Sequence, residues 1–183
     1  PPPETRVPPT SLLSPLLNLP RVRRTRRNHG LEHATIHLLS QRVRGVSIAG
    51  VSDMRGFYLF GDVPTGEVAR AAEDALARLR AGERGLAIHP HCGTNFLAAG
   101  AVAGTTAFVA LLGADRPRSR LERLPMAVLL ATFALIWTQP LGNYLQQHLT
   151  TSGEMGDLRI TAVRVVRDAR PKMHRIETQQ GVR

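Results

Sequence analysis

The sequence predicts an α+β protein: a small metal-binding domain with β-hairpins and two helices, joined to a two-helix transmembrane hairpin. Three observations predict it. Charge is segregated: no Asp, Glu, Lys or Arg occurs from Gly85 to Ala114 or from Leu124 to Gly153, while the rest of the 183 residues is dense in arginine. Apolar residues recur with helical period in two windows. Two further windows alternate as β-hairpins do.

Residues 1–27 read as a proline- and arginine-rich tail or anchor. Pro8, Pro9, Pro15 and Pro20 forbid a long helix. Leu12, Leu13, Leu16, Leu17 and Leu19 precede Arg21, Arg23, Arg24, Arg26 and Arg27. Leucines followed by a basic cluster read as an interfacial anchor on an anionic membrane; a solvated tail is the alternative.

Residues 28–94 read as a soluble α+β domain. Asn28 is a good N-cap residue, so a helix is expected from His29 to Gln41, with Ile36, Leu39 and Val43 on its apolar face and Gly45 beyond its end. Residues 46–51 and 57–60 then flank the polar turn Ser52-Asp53-Met54-Arg55-Gly56, a β-hairpin pattern. Pro64 and Thr65 open a second helix ending near Gly82, with Val68, Ala72, Ala75, Leu76 and Leu79 in helical period. Glu67 in its first turn and Arg78 and Arg80 in its last suit the helix dipole. Leu86-Ala87-Ile88 reads as a short strand.

Residues 95–149 read as the transmembrane hairpin. Asn95 to Ala114 has the length to span a bilayer, about 20 residues, and Gly100 and Gly104 stand at the spacing that lets helices approach closely. Pro125 to Thr138 continues apolar, with Trp137 near an interface and Pro140 marking a kink before Leu141 to Leu149. Arg116, Arg118, Arg120 and Arg123 fill the link. A buried helical pair in a soluble protein is the alternative. Residues 150–183 alternate from Ile160 to Val166 and from Met173 to Ile176, around Asp168-Ala169-Arg170-Pro171. That is a second β-hairpin, expected to pair back onto the first sheet.

Net charge is +10, and 24 residues are Lys or Arg, of which only Lys172 is lysine. Arginine favours phosphate and carboxylate partners. Nucleic acid is disfavoured, because aromatic residues are 4% and stacking platforms are scarce. The single cysteine, Cys92, excludes a disulfide within the chain and suits a reducing compartment. No charged segment followed by an apolar run and a cleavage site is visible, so no export signal is expected.

The chemistry concentrates on histidine. His29, His33 and His37 fall at i, i+4 and i+8 on one helical stripe, and His29 and His33 are one turn apart, so both imidazoles can reach one metal ion. Glu32 completes His-x-x-Glu-His, the order in which two histidines bind zinc and the Glu acts as general base. A polar helix face without metal is the alternative. Further ligands are expected from His89-Pro90-His91-Cys92. Cys92 lies at a helix N-terminus, where a thiol is acidified, and reads as a ligand, a reactive thiol or a small buried residue. Three protein ligands with an open position describe a catalytic zinc site, and a fourth closes it into a structural one.

His29-Gly30-Leu31-Glu32-His33, His89-Pro90-His91-Cys92-Gly93-Thr94-Asn95-Phe96 and Leu145-Gln146-Gln147-His148-Leu149-Thr150-Thr151 occur in this order. Together they resemble the signatures of the YqhQ-like family of bacterial membrane proteins, a family of unknown function expected to be metal-dependent. The resemblance covers roughly residues 28–166. It implies that His29, Glu32, His33, His89 and Cys92 share one site and that Thr150 and Thr151 lie near it. Ser152-Gly153-Glu154-Met155 departs from the Arg-Glu-Pro-type segment of that family, and Glu154 is an extra candidate ligand or acid.

Two functions follow as expectations. One is a membrane zinc hydrolase with Glu32 as general base and His29, His33, His89 and Cys92 as metal ligands. The other is a structural or assembly subunit of a larger membrane complex with a structural metal, its partners or a second copy packing on the Gly100/Gly104 face. Lipid, anionic in charge, is the expected surrounding. The two arginine clusters conflict: a cytoplasmic Arg116–Arg123 link would put both termini and the metal domain outside, while Arg21–Arg27 favour a cytoplasmic metal domain. With no export signal visible, the cytoplasmic side of a bacterial inner membrane is the expectation for the metal domain.

Overall fold

A computed structural model describes residues 14–181. Pro8, Pro9, Leu12 and Leu13, expected in the anchor, lie outside the described residues. The elements in chain order are α1 (Ser14–Leu17), α2 (Pro20–Arg42), β1 (Ala49–Asp53), β2 (Gly56–Phe60), α3 (Thr65–Arg80), a 3-10 turn (Arg84–Ala87), α4 (Gly93–Leu111), α5 (Pro117–Trp137), α6 (Gln139–Leu145), a π turn (Gln146–Thr150), β3 (Arg159–Arg167) and β4 (Met173–Gln179).

The helix that carries the histidines starts at Pro20, not at His29. Proline at a first helical position has no N–H to lose and a φ already set for the helix, and the arginines after it are good helix formers. Residues 20–27, expected in the tail, are therefore the first two turns of α2. Asn28 is not a cap. It sits buried inside the helix, where Nδ2 donates to the Asp53 carbonyl at 2.8 Å and Oδ1 accepts from the Thr178 hydroxyl at 2.7 Å. A buried amide is tolerated because its donor and acceptor are both used.

The two β-hairpins form one antiparallel sheet in the order β1-β2-β4-β3. The first is tighter than expected: Asp53 faces Gly56, so the turn itself is Met54-Arg55. The terminal hairpin pairs back through β4, with Phe57 opposite Ile176. Helices α2 and α3 pack on each other and on the sheet. Between them Leu31, Leu39, Phe57, Leu59, Leu76, Leu79 and Ile176 make one core, each contributing about 1.5–3 kcal/mol of burial.

Leu86-Ala87-Ile88 is not a strand. Leu86 and Ile88 donate their N–H groups back to Glu83 and Gly85, three residues earlier, as a 3-10 turn does. The link between the apolar helices is also shorter than expected. Arg118, Arg120 and Arg123 lie inside α5, and Arg120 and Arg123 donate to the carbonyls of Ala114 and Leu112 at 2.9 and 2.6 Å. Cations there close off the carboxyl end of α4.

Among the described residues α4 alone is long and apolar enough to cross a membrane. Helix α5 qualifies only together with α6 and the π turn, across a bend of 46° after Trp137. Pro140 stands just beyond that bend, as its missing N–H requires. Helices α4 and α5 pack on each other, and their outer faces expose Phe96, Leu97, Phe108, Leu129, Phe133 and Trp137.

Candidate metal centre

His29 and His33 project from one stripe of α2, their ring centroids 4.3 Å apart. The loop after the 3-10 turn and the first residue before α4 bring Cys92 against them. One nitrogen of each imidazole and the Cys92 sulfur all lie within 4.8 Å of one another. The Cys92 Sγ to His29 Nε2 distance is 3.5 Å.

Both rings are oriented by backbone. His29 Nδ1 lies 3.0 Å from the Thr150 carbonyl and His33 Nδ1 lies 2.8 Å from the Ala87 carbonyl. A carbonyl can only accept, so both Nδ1 atoms carry a proton, and Nε2 is the ring atom of His29 that faces Cys92. The π turn explains the first acceptor: Thr151 donates back to Gln146, leaving the Thr150 carbonyl without an intrahelical partner at the end of the turn. A backbone carbonyl accepting from the far ring nitrogen is the common arrangement around metal-ligating histidines.

Cys92 is the N-cap of α4 and accepts from the Thr94 N–H at 3.4 Å. Burial pushes its thiol up, but hydrogen bonds from His33 and Thr94 and the nearby His33 charge outweigh this and hold it below the ordinary thiol range. The donor set therefore fits a metal that takes imidazole and thiolate.

The other predicted residues are placed differently. His89 stands beside the cluster, its ring centroid 5.6 Å from that of His33, but outside the three-donor group. Burial, then the charges of His33, His91 and His37, pull its pKa down to about 4. Glu32 is also outside the group. It is buried toward the sheet, accepts from the Ser52 hydroxyl, and occupies the space that a side chain at Gly50 would fill. Burial raises its pKa against the Ser52 hydrogen bond and the His29 charge. His37 and His91 are exposed. Glu154 pairs with Arg84 at 3.2 Å on the surface, away from the cluster.

Two residues stand in the quoted motifs, but the sequence reading gave neither a role. Gln146 is fully buried and holds the His89 loop by both backbone groups: Oε1 accepts from His89 N–H at 2.9 Å, and Nε2 donates to the His89 carbonyl at 3.0 Å and to Asn95 Oδ1 at 2.6 Å. Gly30 allows the chain at Ser152 to cross α2, since a Cβ there would lie 2.2 Å from the Ser152 carbonyl oxygen. Membership of the motifs was the available signal for both; the contacts that give them their roles, to His89 and Ser152, are tertiary. A cavity of about 460 Å³, lined by Arg21, Val22, Thr25, Arg26, His29, Thr94 and Thr150, opens on the His29 side.

Fold and site together define an α+β protein with a helix apolar enough for a membrane and a His/His/Cys cluster at the foot of that helix. The chain belongs to the DUF6391 family, a domain of unknown function, which matches residues 24–163. It is 36% identical over 140 residues to an uncharacterized protein of Picosynechococcus sp., covering 69% of this chain and 65% of that one. The chain thus spans somewhat less than two thirds of that relative. No solved structure matches. The YqhQ-like resemblance rests on the three motifs alone; the family that is shown is DUF6391.

Proposed function

We propose that this is an integral membrane protein in which a metal ion at His29, His33 and Cys92 ties the α+β domain to the first membrane helix. One observation carries the reading: two imidazoles with their Nδ1 protons engaged on carbonyls aim Nε2, with a lowered-pKa thiol, into one small volume. Donors on a tetrahedral zinc stand about 3.5 Å apart, from bond lengths near 2.0 Å to nitrogen and 2.3 Å to sulfur. The 3.5 Å between His29 Nε2 and Cys92 Sγ agrees with that spacing. Zinc suits this donor set, and His89 is the nearest further imidazole. The DUF6391 region contains all of these residues.

In this reading the protein is a structural or assembly component, with the metal fixing the angle between domain and membrane. The surrounding partner is lipid, and the membrane is a bacterial inner membrane with the metal domain in the cytoplasm. Metal content by plasma mass spectrometry on the purified full chain tests the centre: one zinc per chain, lost in His33→Ala, is expected, and metal-free wild type overturns it. Cysteine tags at Thr25 and Ser119, probed from outside intact cells, test the orientation; labelling at Thr25 alone reverses it.

A second reading, a zinc hydrolase, is favoured by the cavity beside His29. Three protein ligands leave a coordination position there, and zinc would supply Lewis acidity. Glu32, outside the ligand group, would take the proton at its carboxylate after releasing Ser52. Glu32→Gln that keeps its metal and loses a hydrolytic activity supports this reading; Glu32→Gln with unchanged activity removes it.

A further inference from the structure

We propose that the cavity between the first turns of α2 and the segment 156–181 binds the phosphate of an anionic membrane lipid. The cavity has a volume of about 640 Å³ and is lined by Pro20, Arg23, Arg24, Arg27, Gly156 and Asp157, with Gln180 and Gly181 at its edge. Three guanidinium groups share it with one carboxylate. That carboxylate does not balance them: Asp157 meets Arg27 at 3.5 Å, at the long end for an ion pair. Among the described residues the Arg24 guanidinium donates to the Thr178 carbonyl, also at 3.5 Å. The Nε atoms of Arg24 and Arg27 are buried with no acceptor, and no hydrogen bond or ion pair of the Arg23 guanidinium is found among the described residues.

Like charges gathered in a concave site cost free energy unless an anion joins them. Phosphate is the anion that matches several guanidinium forks at once. The partial positive charge at the amino end of α2 adds to the same field.

The lipid source follows from position and rests on the membrane-spanning reading above. Arg24 and Arg27 precede His29 by less than two helical turns, about 3–8 Å along the axis. His29 touches Cys92, the cap of α4, so the cavity lies close to the level at which the apolar helix begins. Leu16 and Leu19, just before Pro20, are 55% and 48% exposed. An amphiphile is the ligand class that has a phosphate for the arginines and chains for these leucines.

The test is calorimetric titration of the detergent-solubilised full chain with dihexanoyl phosphatidate, dihexanoyl phosphatidylcholine and inorganic phosphate. Phosphatidate is expected to bind at least about tenfold more tightly than either of the others. Arg24→Gln/Arg27→Gln is expected to lose that preference while circular dichroism stays unchanged. Should the double variant not fold, Arg23→Gln, at an exposed position, is expected to weaken phosphatidate alone. Equal binding by wild type and variants overturns the site, and inorganic phosphate binding as tightly as phosphatidate overturns the lipid assignment. Alkaline carbonate extraction of the membranes before solubilisation reports separately on membrane spanning: a chain released by carbonate that still prefers phosphatidate loses the spanning reading and keeps the site.

Discussion

His29 Nε2 and Cys92 Sγ stand 3.5 Å apart although 63 residues separate them in the chain. One belongs to the helix of the α+β domain and the other caps the apolar helix α4, so this pair is where the two parts meet. If a metal ion holds them, removing either donor acts on both binding and folding. Cys92→Ser keeps an N-cap acceptor for the Thr94 N–H, oxygen in place of sulfur, while replacing thiolate with a poor zinc ligand. The expected result is a loss of at least about tenfold in zinc affinity, with a lower thermal midpoint in zinc and an unchanged midpoint in chelator. A variant equally destabilised in both conditions would mean that Cys92 serves packing alone.

Gln146 fixes the loop that presents Cys92, and three partners depend on it. Gln146→Leu leaves the His89 N–H, the His89 carbonyl and Asn95 Oδ1 without that amide. A fully buried group left unsatisfied costs about 1–3 kcal/mol. His89 is only half-buried, so the three together are expected to cost about 3–4 kcal/mol, the low end of the range, in guanidinium unfolding in mild detergent. Gln146→Glu keeps the acceptor for His89 N–H and loses the donor, so its loss is expected to be intermediate. Wild-type stability in Gln146→Leu would show that water replaces the amide without cost.

Gly30 and Gly50 make opposite predictions about alanine. A Cβ on Gly30 meets the backbone of Ser152, 2.2 Å from its oxygen, and backbone on both sides cannot yield without α2 separating from the 150–153 segment. Overpacking of this kind costs about 1–3 kcal/mol. A Cβ on Gly50 meets the Glu32 carboxylate at 2.4 Å, the end of a side chain that can turn. Gly50→Ala is therefore expected to displace Glu32 from Ser52 at a smaller cost. Thermal unfolding of the two variants ranks them, and a larger loss for Gly50→Ala would mean that Glu32 is as fixed as backbone.

The periodic and alternating elements were legible in the sequence. Both hairpins, the turn chemistry near Asp53 and helix α3 follow from residues that speak for themselves locally. The start of α2 did not, because Pro20 reads equally as a breaker and as a first helical residue, and Asn28 reads as a cap until Asp53 and Thr178 are brought to it. His29, His33 and Cys92 were legible as donors by type and spacing. What separates Cys92 from His89, and both from Glu32, is tertiary: the carbonyls of Thr150 and Ala87 aim the two rings, and Ser52 holds Glu32 on the sheet side.

Asp53 gives the acid limb of stability. Its carboxylate accepts two hydrogen bonds from Arg175, both at 2.9 Å. Burial pushes its pKa up, but the Arg175 hydrogen bonds and charge, with the Arg55 and Gly56 N–H groups, bring it below the ordinary value of 3.8. A depressed carboxylate pKa contributes stability that is present above the unfolded-state value and lost as pH falls through the folded one. The wild type is therefore expected to lose stability below about pH 4 more steeply than Asp53→Asn, although the group is largely solvated and the difference is small. Parallel unfolding midpoints between pH 2 and 6 would remove Asp53 from the acid response.

Trp137 measures the membrane geometry. It is the sole tryptophan, it is 80% exposed on α5, and the 46° bend follows it. The sequence places it near an interface; if α5, α6 and the π turn cross the bilayer as proposed above, the helix rise gives its depth. Arg123 is the last charge of α5 and belongs at the boundary with water. Fourteen residues on, Trp137 lies about 21 Å further along the axis at 1.5 Å per residue. A hydrocarbon core of about 30 Å then puts Trp137 about 6 Å beyond the bilayer centre, short of the opposite interface, with α6 and the π turn completing the passage. Quenching by lipids brominated at a series of acyl positions reads this depth in reconstituted vesicles. Strongest quenching by mid-chain bromines is expected. Quenching only by bromines nearest the headgroup would put Trp137 at the interface and require a thinner or tilted crossing, and no quenching would leave α4 and α5 outside the bilayer altogether.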